Sequence, residues 1–339
     1  MAVLRDDVLV VNAGSTSLKL SVVGPDDESR PVASLEDAPP VAAIGHRVVH
    51  GGDRFGDPVK IDDSVIADLE SLVELAPIHN RAALDAIRQA RGLYPGTPHI
   101  AVFDTAFHRT LPEVARTYAL PERFRARGIH RFGFHGLSVQ WASEQIRVER
   151  LVVCHLGGGS SVTAVKNGSS IDTTMGFTPL EGVPMATRAG SVDPGALLYL
   201  LRHGVSVQEL EEALEHESGL LALAGTRDVA ALEASRSPAA RLALEIFGYR
   251  VAQATASMAT ALGGLDALVF TAGIGEHAAR VRADVCGRLG FLGVVLDEAA
   301  NEDVRGRSAE VSAATSPVAV HIVTAREDAV VARAVRTLV

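Results

Sequence analysis

The sequence predicts an α/β protein built from two related domains, on three observations. Residues 9–24, LVVNAGSTSLKLSVVG, are echoed by residues 151–168, LVVCHLGGGSSVTAVKNG. Each has an apolar strand, a polar residue (Asn12, His155), a Gly/Ser tip and a second alternating strand, the period-2 pattern of a hairpin. Apolar β-branched runs also alternate with helical periodicity in both halves, as α/β folds require. The length of 339 residues suits about two domains. The echo is too widely spaced for a solenoid repeat, so it implies a duplication. Each half would offer a hairpin to a shared cleft, the kind of junction where ligands bind.

Hydrophobic content of 47% is ample for two cores, and 22% charged residues exclude bulk disorder. A net charge of -9 argues against a nucleic-acid binder, which needs a basic face. An acidic protein that handles anions must build a local cationic site, which makes single arginines in glycine-rich loops informative. Cys154 and Cys286 sit in or beside apolar runs at no metal-binding spacing, and read as buried thiols of a reducing compartment. The start, MAVLRDDVLV, is too acidic for a signal peptide. No apolar stretch approaches the ~18 residues of a membrane span. A cytoplasmic protein with no membrane partner is expected.

Taken in order, residues 8–23 form the first hairpin, marked by Asn12 and Lys19. Pro25 to Pro40 is acidic and proline-bearing and reads as a surface connection. Val41 to Gly52 reads as a strand running into a Gly-Gly turn, with His46 and His50 on one face and Arg47 on the other. Two histidines on one face could ligate a metal, but no third ligand is near. An arginine inside an apolar strand is costly to bury unpaired, so Arg47 should meet a carboxylate or a bound anion. Residues 62–76 read as a helix capped by Asp62 or Asp63, ending at Ala76-Pro77 before Ile78-His79-Asn80 and a second helix through Arg91. Ile100 to Asp104 is a buried strand ending in a carboxylate, and ligands of open α/β sheets collect at strand carboxyl ends. Phe132-Gly133-Phe134-His135-Gly136 holds a histidine between glycines and aromatics, solvated or ligand-facing.

Leu151 to Cys154 is a buried strand stopped by Gly157-Gly158-Gly159. A triple glycine is either a flexible turn or a cradle whose backbone N–H groups reach phosphate oxygens. Asn167-Gly168 closes a further hairpin. Ser237-Pro238 starts a long helix by the N-cap and N1 rule, and Gly263-Gly264 ends it. Asp266 to Ala272 reads as a strand ending in Gly273-Ile274-Gly275-Glu276 before a helix, a weak dinucleotide-like fingerprint. Val318 to Val323 is the last strand, and Glu327-Asp328 opens the last helix, where a carboxylate offsets the dipole or faces a metal.

Glycine hairpins, isolated arginines and strand-end carboxylates suggest nucleotide phosphate with Mg²⁺, and the absence of G-x-x-x-x-G-K-[ST] excludes a P-loop enzyme. The ordered motifs VVNAGSTSLK, GHRVVHGG, FDTAFH, FGFHG, HLGGGSS, MGFTPLEG, TRAGS and FTAGIGE resemble those of the acetate kinase (acetokinase) family. The resemblance implies a duplicated actin-like (ribonuclease H-like) ATPase fold with a cleft between its domains. These would be an N-terminal domain over 1–150, a second over 151–325, and a C-terminal helix over 326–339 packing back on the first. It also implies reversible, direct in-line transfer of the ATP γ-phosphoryl group to acetate in a homodimer, with Mg²⁺ (or Mn²⁺) as cofactor. Carried over by motif, Arg47, Asp104, His135 and Arg188 are the catalytic set. Asn12 and Glu327 take the metal positions, and Val49, Ile78, His79, Phe134 and Pro179 join Arg47 around the carboxylate. Lys19, His155, Leu156, Gly157, Gly158, Gly159, Gly225, Thr226, Arg227, Gly273, Ile274, Gly275, Glu276 and His277 take nucleotide positions.

Against the family pattern, Gly158 replaces an Asn, Gly225 an Asp and His277 an Asn. HLGGG is closer to butyrate kinase, and the segment between Gly24 and Val41 is short. The rival readings are a propionate or butyrate kinase, a non-catalytic actin-like ATP switch, and a nicotinamide dehydrogenase resting on the one weak glycine match.

Overall fold

The computed structural model describes residues 6–14, 18–75 and 77–339, with the side chains of 75 and 77–79 outside the described set. The chain divides into two units. Unit 1 comprises Met1–Arg109, Phe134–Trp141 and Arg326–Val339, and unit 2 comprises Thr110–Gly133 and Ala142–Ala325. The 110–133 and 142–150 segments, which the sequence assigns to the first half, therefore cluster with the second.

Unit 1 holds β1 (Val8–Ala13), β2 (Leu18–Val23), β3 (Ser29–Val32), β4 (Ala43–Val48), β5 (Val59–Lys60) and β6 (His99–Phe103) in the order β3-β2-β1-β4-β6-β5. The β3-β2-β1 meander and the β5/β6 pair are antiparallel, while β1/β4 and β4/β6 are parallel. Unit 2 holds β7 (Arg150–Leu156), β8 (Ser160–Lys166), β9 (Ser169–Thr173), β10 (Ala267–Thr271), β11 (Ala309–Glu310) and β12 (Ala319–Ile322) in the order β11-β12-β10-β7-β8-β9. Position for position this is the same sheet, with β7 and β8 in the places of β1 and β2, and with the same pairing senses. The hairpin echo is thus the local trace of a duplicated topology, that of the actin-like ATPases.

The central strands are buried on both faces, which is why they read as continuous apolar runs. Along β1, Val8 and Val10 pack with Val330, Val331 and Val335 of the C-terminal helix Glu327–Arg336. Leu9 and Val11 point the other way, into a core shared with Ala86 and Ala90 of the helix Pro77–Leu93. Gly45 on β4 is small because a Cβ there would lie 2.6 Å from Val331 Cγ1 and 2.7 Å from Val335 Cγ2. In unit 2 the helix Pro238–Leu262 is capped by Ser237, which accepts from the Ala240 N–H, and by left-handed Gly263; it packs Phe247, Val251, Met258 and Leu262 on the sheet core. Asn167 and Gly168, with φ of 49° and 80°, make the tight β8/β9 turn.

Five local readings need correction. The acidic Pro25–Pro40 stretch contains β3, an edge strand able to hold Pro31 because an edge leaves one side of the ladder unpaired. The strand expected over Val41–Gly52 ends at Val48, so His50 does not share its face with His46. The single helix over 62–76 is a helix Asp63–Ser71, capped by Asp62, followed by a 3₁₀ turn Val73–Leu75; Ala76 lies outside the described residues. Pro77 starts the next helix rather than ending the last one, so Ile78, His79 and Asn80 are in its first turn. The Gly273–Glu276 stretch is itself helical, within Ala272–His277, which makes the strand-to-helix turn sharper than a dinucleotide fingerprint.

Candidate active site

In unit 1 the parallel register sets Asn12 beside Arg47 at the carboxyl ends of β1 and β4, and Asp104 follows the end of β6. This is where open α/β sheets gather ligands. Arg47 Nε donates to Asp104 Oδ1 at 3.0 Å and Arg47 Nη2 donates to Oδ2, a bidentate pair. Arg47 Nη1 donates to Asn12 Oδ1 at 3.1 Å, and Glu327 Oε2 lies 3.4 Å from Arg47 Nε. Asn12 Nδ2 closes the network by donating to Glu327 Oε2 at 3.2 Å. The Arg47 and Asp104 side chains are only 12% and 1% exposed. Burial pushes the Asp104 carboxyl up to about 6, against the pull of Arg47 and with the charge of Glu327 adding to it. Burial pulls Arg47 down, but Asp104 and Glu327 outweigh it and hold the guanidinium above its ordinary value. Both groups are charged at neutral pH.

His135 precedes a glycine whose backbone is tied to Asp104. The His135 backbone is left-handed, φ 60°, a rare conformation outside glycine that is concentrated at functional sites. The next N–H, of Gly136, donates to the Asp104 carbonyl at 2.9 Å, and a Cβ on Gly136 would come within 2.1 Å of that oxygen. Buried Phe134 precedes it, with its carbonyl accepting from His108 Nε2 at 2.9 Å and its ring edge-on to His50 at 5.4 Å. Burial lowers His108 to about 4, so it is neutral. Val49 is buried in the same unit. The loop after β4 is clamped by Asn80, whose side chain exchanges two 3.1 Å hydrogen bonds with the His50 backbone. The side chains of Ile78 and His79, assigned to the acyl pocket by resemblance, lie outside the described residues. His46 pairs with His99, Nε2 to Nδ1 at 3.0 Å, and burial followed by His99 lowers it to about 3. Among the described residues no group of three or more His, Cys, Asp or Glu could hold a metal by itself.

In unit 2 the tip between β7 and β8 is closed by the Gly157 N–H donating to the Gly159 carbonyl at 2.9 Å. A Cβ on Gly158 would meet nothing within 4 Å, so that face of the tip is open. A Cβ on Gly157 would lie 3.5 Å from Ala272 Cβ, where the Ala272–His277 helix begins at a left-handed φ of 64°. Gly157, Gly158, Arg227, Gly273, Ile274 and His277 line one pocket of about 280 Å³. Arg227 follows, one residue on through Thr226, a left-handed helix end at Gly225, φ 74°. His155 and Leu156 are buried at the end of β7, with His155 in register with Thr271. Thr271 Oγ1 is buried and has no hydrogen-bond partner among the described residues.

Glu276 and Gly275, expected at the nucleotide, are both buried. Glu276 turns inward, its Oε1 accepting the Ala325 N–H at 3.0 Å. Lys19 lies on unit 1, directly across the hairpin from Asn12. Pro179 is buried in unit 2, and Arg188 Nε donates to Glu215 Oε2 at 2.9 Å, from a loop whose Ala186 N–H reaches the Gly158 carbonyl at 3.3 Å. Sequence reasoning missed Asn80, His108, Glu215 and Arg282. Fully buried Arg282 donates to the Gly275 and Glu276 carbonyls at 3.0 Å and to Asn301, pinning the turn under the pocket. In sequence it is one arginine on an ordinary amphipathic helix.

Residues 32–333 match the sequence profile of the Acetokinase family. An acetate kinase of Thermosynechococcus vestitus is 48% identical over 312 residues, spanning 88% of this chain and 75% of that protein. One of Nitrobacter hamburgensis is 39% identical over 387 residues, spanning 97% and 95%. A propionate kinase structure from Francisella tularensis superposes with a TM-score of 0.91 at 34% identity, covering 98% of this chain and 100% of that one. Porphyromonas gingivalis acetate kinase gives 0.86 at 32% identity, covering 98% and 99%. The duplicated sheets, the buried guanidinium–carboxylate network and the glycine-lined pocket define an ATP-dependent phosphotransferase of the actin-like class. The chain belongs to the acetokinase family.

Proposed function

We propose that this chain phosphorylates acetate reversibly, ATP + acetate giving ADP + acetyl phosphate. The observation that carries the proposal is the part-buried Asn12–Arg47–Asp104–Glu327 network, with the Gly136 N–H next to His135 held on the Asp104 carbonyl. A carboxylate oxygen of acetate attacks the γ-phosphorus in line and the bond to the β–γ bridging oxygen breaks, leaving ADP. No general base is required, because a carboxylic acid is already ionised at pH 7. The work of such a site is positioning and charge stabilisation. Arg47 holds the carboxylate and, with Arg188, offsets charge on the transferring phosphoryl group, to which His135 donates a hydrogen bond. Asp104 fixes the plane of the Arg47 guanidinium. Val49, Phe134 and Pro179 wall the acyl group, with Ile78 and His79 assigned beside it by family resemblance. The pocket at Gly157, Gly158, Arg227 and Gly273 takes the nucleotide, with Lys19, Thr226 and His277 as further contacts.

Asn12 and Glu327 suit Mg²⁺. Both offer hard oxygen donors about one guanidinium, and Mg²⁺ typically takes one or two protein oxygens and completes its shell with water and phosphate. Bound there, the ion would neutralise phosphate charge. A homodimer is proposed through unit 2, whose surface carries exposed Leu198, Tyr199, Val207 and Leu242. No helix of the described residues is long and apolar enough to cross a membrane. A cytoplasmic location is proposed because Cys154 and Cys286 are buried free thiols.

Propionate as acceptor is a second reading, favoured by the likeness to the Francisella tularensis propionate kinase. One methylene is worth only ~1–3 kcal/mol in discrimination. The test is acyl phosphate trapped with hydroxylamine from ATP, Mg²⁺ and each acid from formate to butyrate. The proposal expects kcat/KM to peak at acetate; a peak at propionate moves the assignment to the second reading. ATP hydrolysis indifferent to every acid would leave a nucleotide switch instead.

A further inference from the structure

Arg188 does not stand alone in its loop. The segment that follows the helix Val207–Glu212 is a π-helical turn, Ala213–Glu217, closed by Ser218 Oγ donating to the Ala213 carbonyl at 2.7 Å. Single π turns inside helices are rare and gather at functional sites. This one, with the residues that follow it, is stitched to the Arg188 loop. Thr187 Oγ1 donates to the Glu215 carbonyl at 2.8 Å, and the Ser218 N–H donates to the Thr187 carbonyl at 2.9 Å. The Leu220 and Leu221 N–H groups donate to the Met185 and Ala186 carbonyls, both at 3.0 Å. Gly219, φ 63°, lets the two backbones close, since a Cβ there would lie 2.1 Å from the Met185 carbonyl oxygen. From this stitched turn the Glu215 carboxylate reaches Arg188 Nε at 2.9 Å, with the two side chains 13% and 18% exposed.

An arginine side chain has four rotatable bonds and, unheld, spreads its guanidinium over many positions. A carboxylate on Nε removes most of that freedom, and its rigid π turn fixes where the carboxylate stands. We infer that Glu215 is a positioning residue for phosphoryl transfer, holding the Arg188 guanidinium in the orientation the transferring group requires. The inference rests on the role given to Arg188 above. Misplacing a catalytic group by 1 Å can cost about 10²-fold in rate.

The test compares Arg188→Ala, Glu215→Ala, Glu215→Gln and the double alanine variant in the full chain, reading kcat, KM for ATP and acetate, and the thermal midpoint. Glu215→Ala is expected to lower kcat by roughly 10–100-fold with KM for ATP and the midpoint nearly unchanged. Glu215→Gln keeps an oxygen acceptor for Nε and should recover most of the loss. The double variant should be no slower than Arg188→Ala, because the two residues act as one unit. Near-normal turnover in Arg188→Ala overturns the reading of Arg188 itself. A collapse there beside normal kcat in Glu215→Ala overturns the positioning role alone. So does a Glu215→Ala defect that Gln fails to relieve, or one that appears only as a lower thermal midpoint.

Discussion

Asp104 makes turnover depend on pH in a way that separates the site from the fold. Its carboxyl is raised to about 6 by burial, the Glu327 charge adding and Arg47 opposing. Above that value Asp104 is ionised and holds Arg47 by two hydrogen bonds. Below it the carboxyl protonates and the bidentate pair is lost. One pH unit below an acid's pKa leaves about a tenth of it ionised, so kcat/KM should fall roughly tenfold by pH 5. The stability sign is the opposite. The folded-state value lies above the ordinary 3.8, so this group's contribution to stability is fully present below about 4 and is lost as pH rises through about 6. Asp104 therefore gives no cause for unfolding at pH 5, and activity should fall while the thermal midpoint holds. In Asp104→Asn, Glu327 at 3.4 Å and Asn12 at 3.1 Å still face Arg47, so the variant should fold with low turnover and no acid limb near 6. The assay is acyl phosphate formation from pH 5 to 8 at acetate well below KM, which reads kcat/KM, beside melting curves. Full turnover at pH 5, or an acid limb near 6 that survives in Asp104→Asn, would refute the reasoning.

Three further outcomes follow from packing. Gly45→Ala drives a methyl group to within 2.7 Å of Val331 and Val335, and overpacking of this kind should lower stability by about 1–3 kcal/mol in denaturant unfolding. Gly158→Ala meets nothing within 4 Å, so stability should stay within about 0.5 kcal/mol while KM for ATP rises, because the open face of the tip is where phosphate would approach. Arg282→Leu strands the buried carbonyls of Gly275, Glu276 and Asn301, which it holds at 2.8–3.0 Å. With unsatisfied buried acceptors at ~1–3 kcal/mol each, a loss of several kcal/mol in thermal unfolding should accompany weaker nucleotide binding measured by calorimetry.

The central strands of both sheets, the repeated hairpin and the capped helix starting at Ser237 were legible because they depend on residues near one another in the chain. Side-chain alternation follows from backbone geometry, and Ser-Pro at a helix start or Asn-Gly at a turn acts over two or three residues. The reading failed where neighbours misled. Pro77 looked like a stop and is a start, since a proline tolerates the first helical turn and the sequence does not say which side of it the helix lies. Gly273 to Glu276 looked like a loop and is a short helix opened by a strained Ala272.

The sequence by itself determined the fold class, the family and which residue types were available for chemistry, because pattern and motif order survive without coordinates. Only the tertiary structure decided what those residues face. Asp104 reaches Arg47 across 57 positions, Glu327 reaches Asn12 across 315, and Glu215 reaches Arg188 from a π turn no periodicity announces. Parallel strand order and the return of the C-terminal helix bring the first two pairs within 3.2 Å. A charge's partner, and so its protonation and its orientation, is a property of that closure in space rather than of the chain around it.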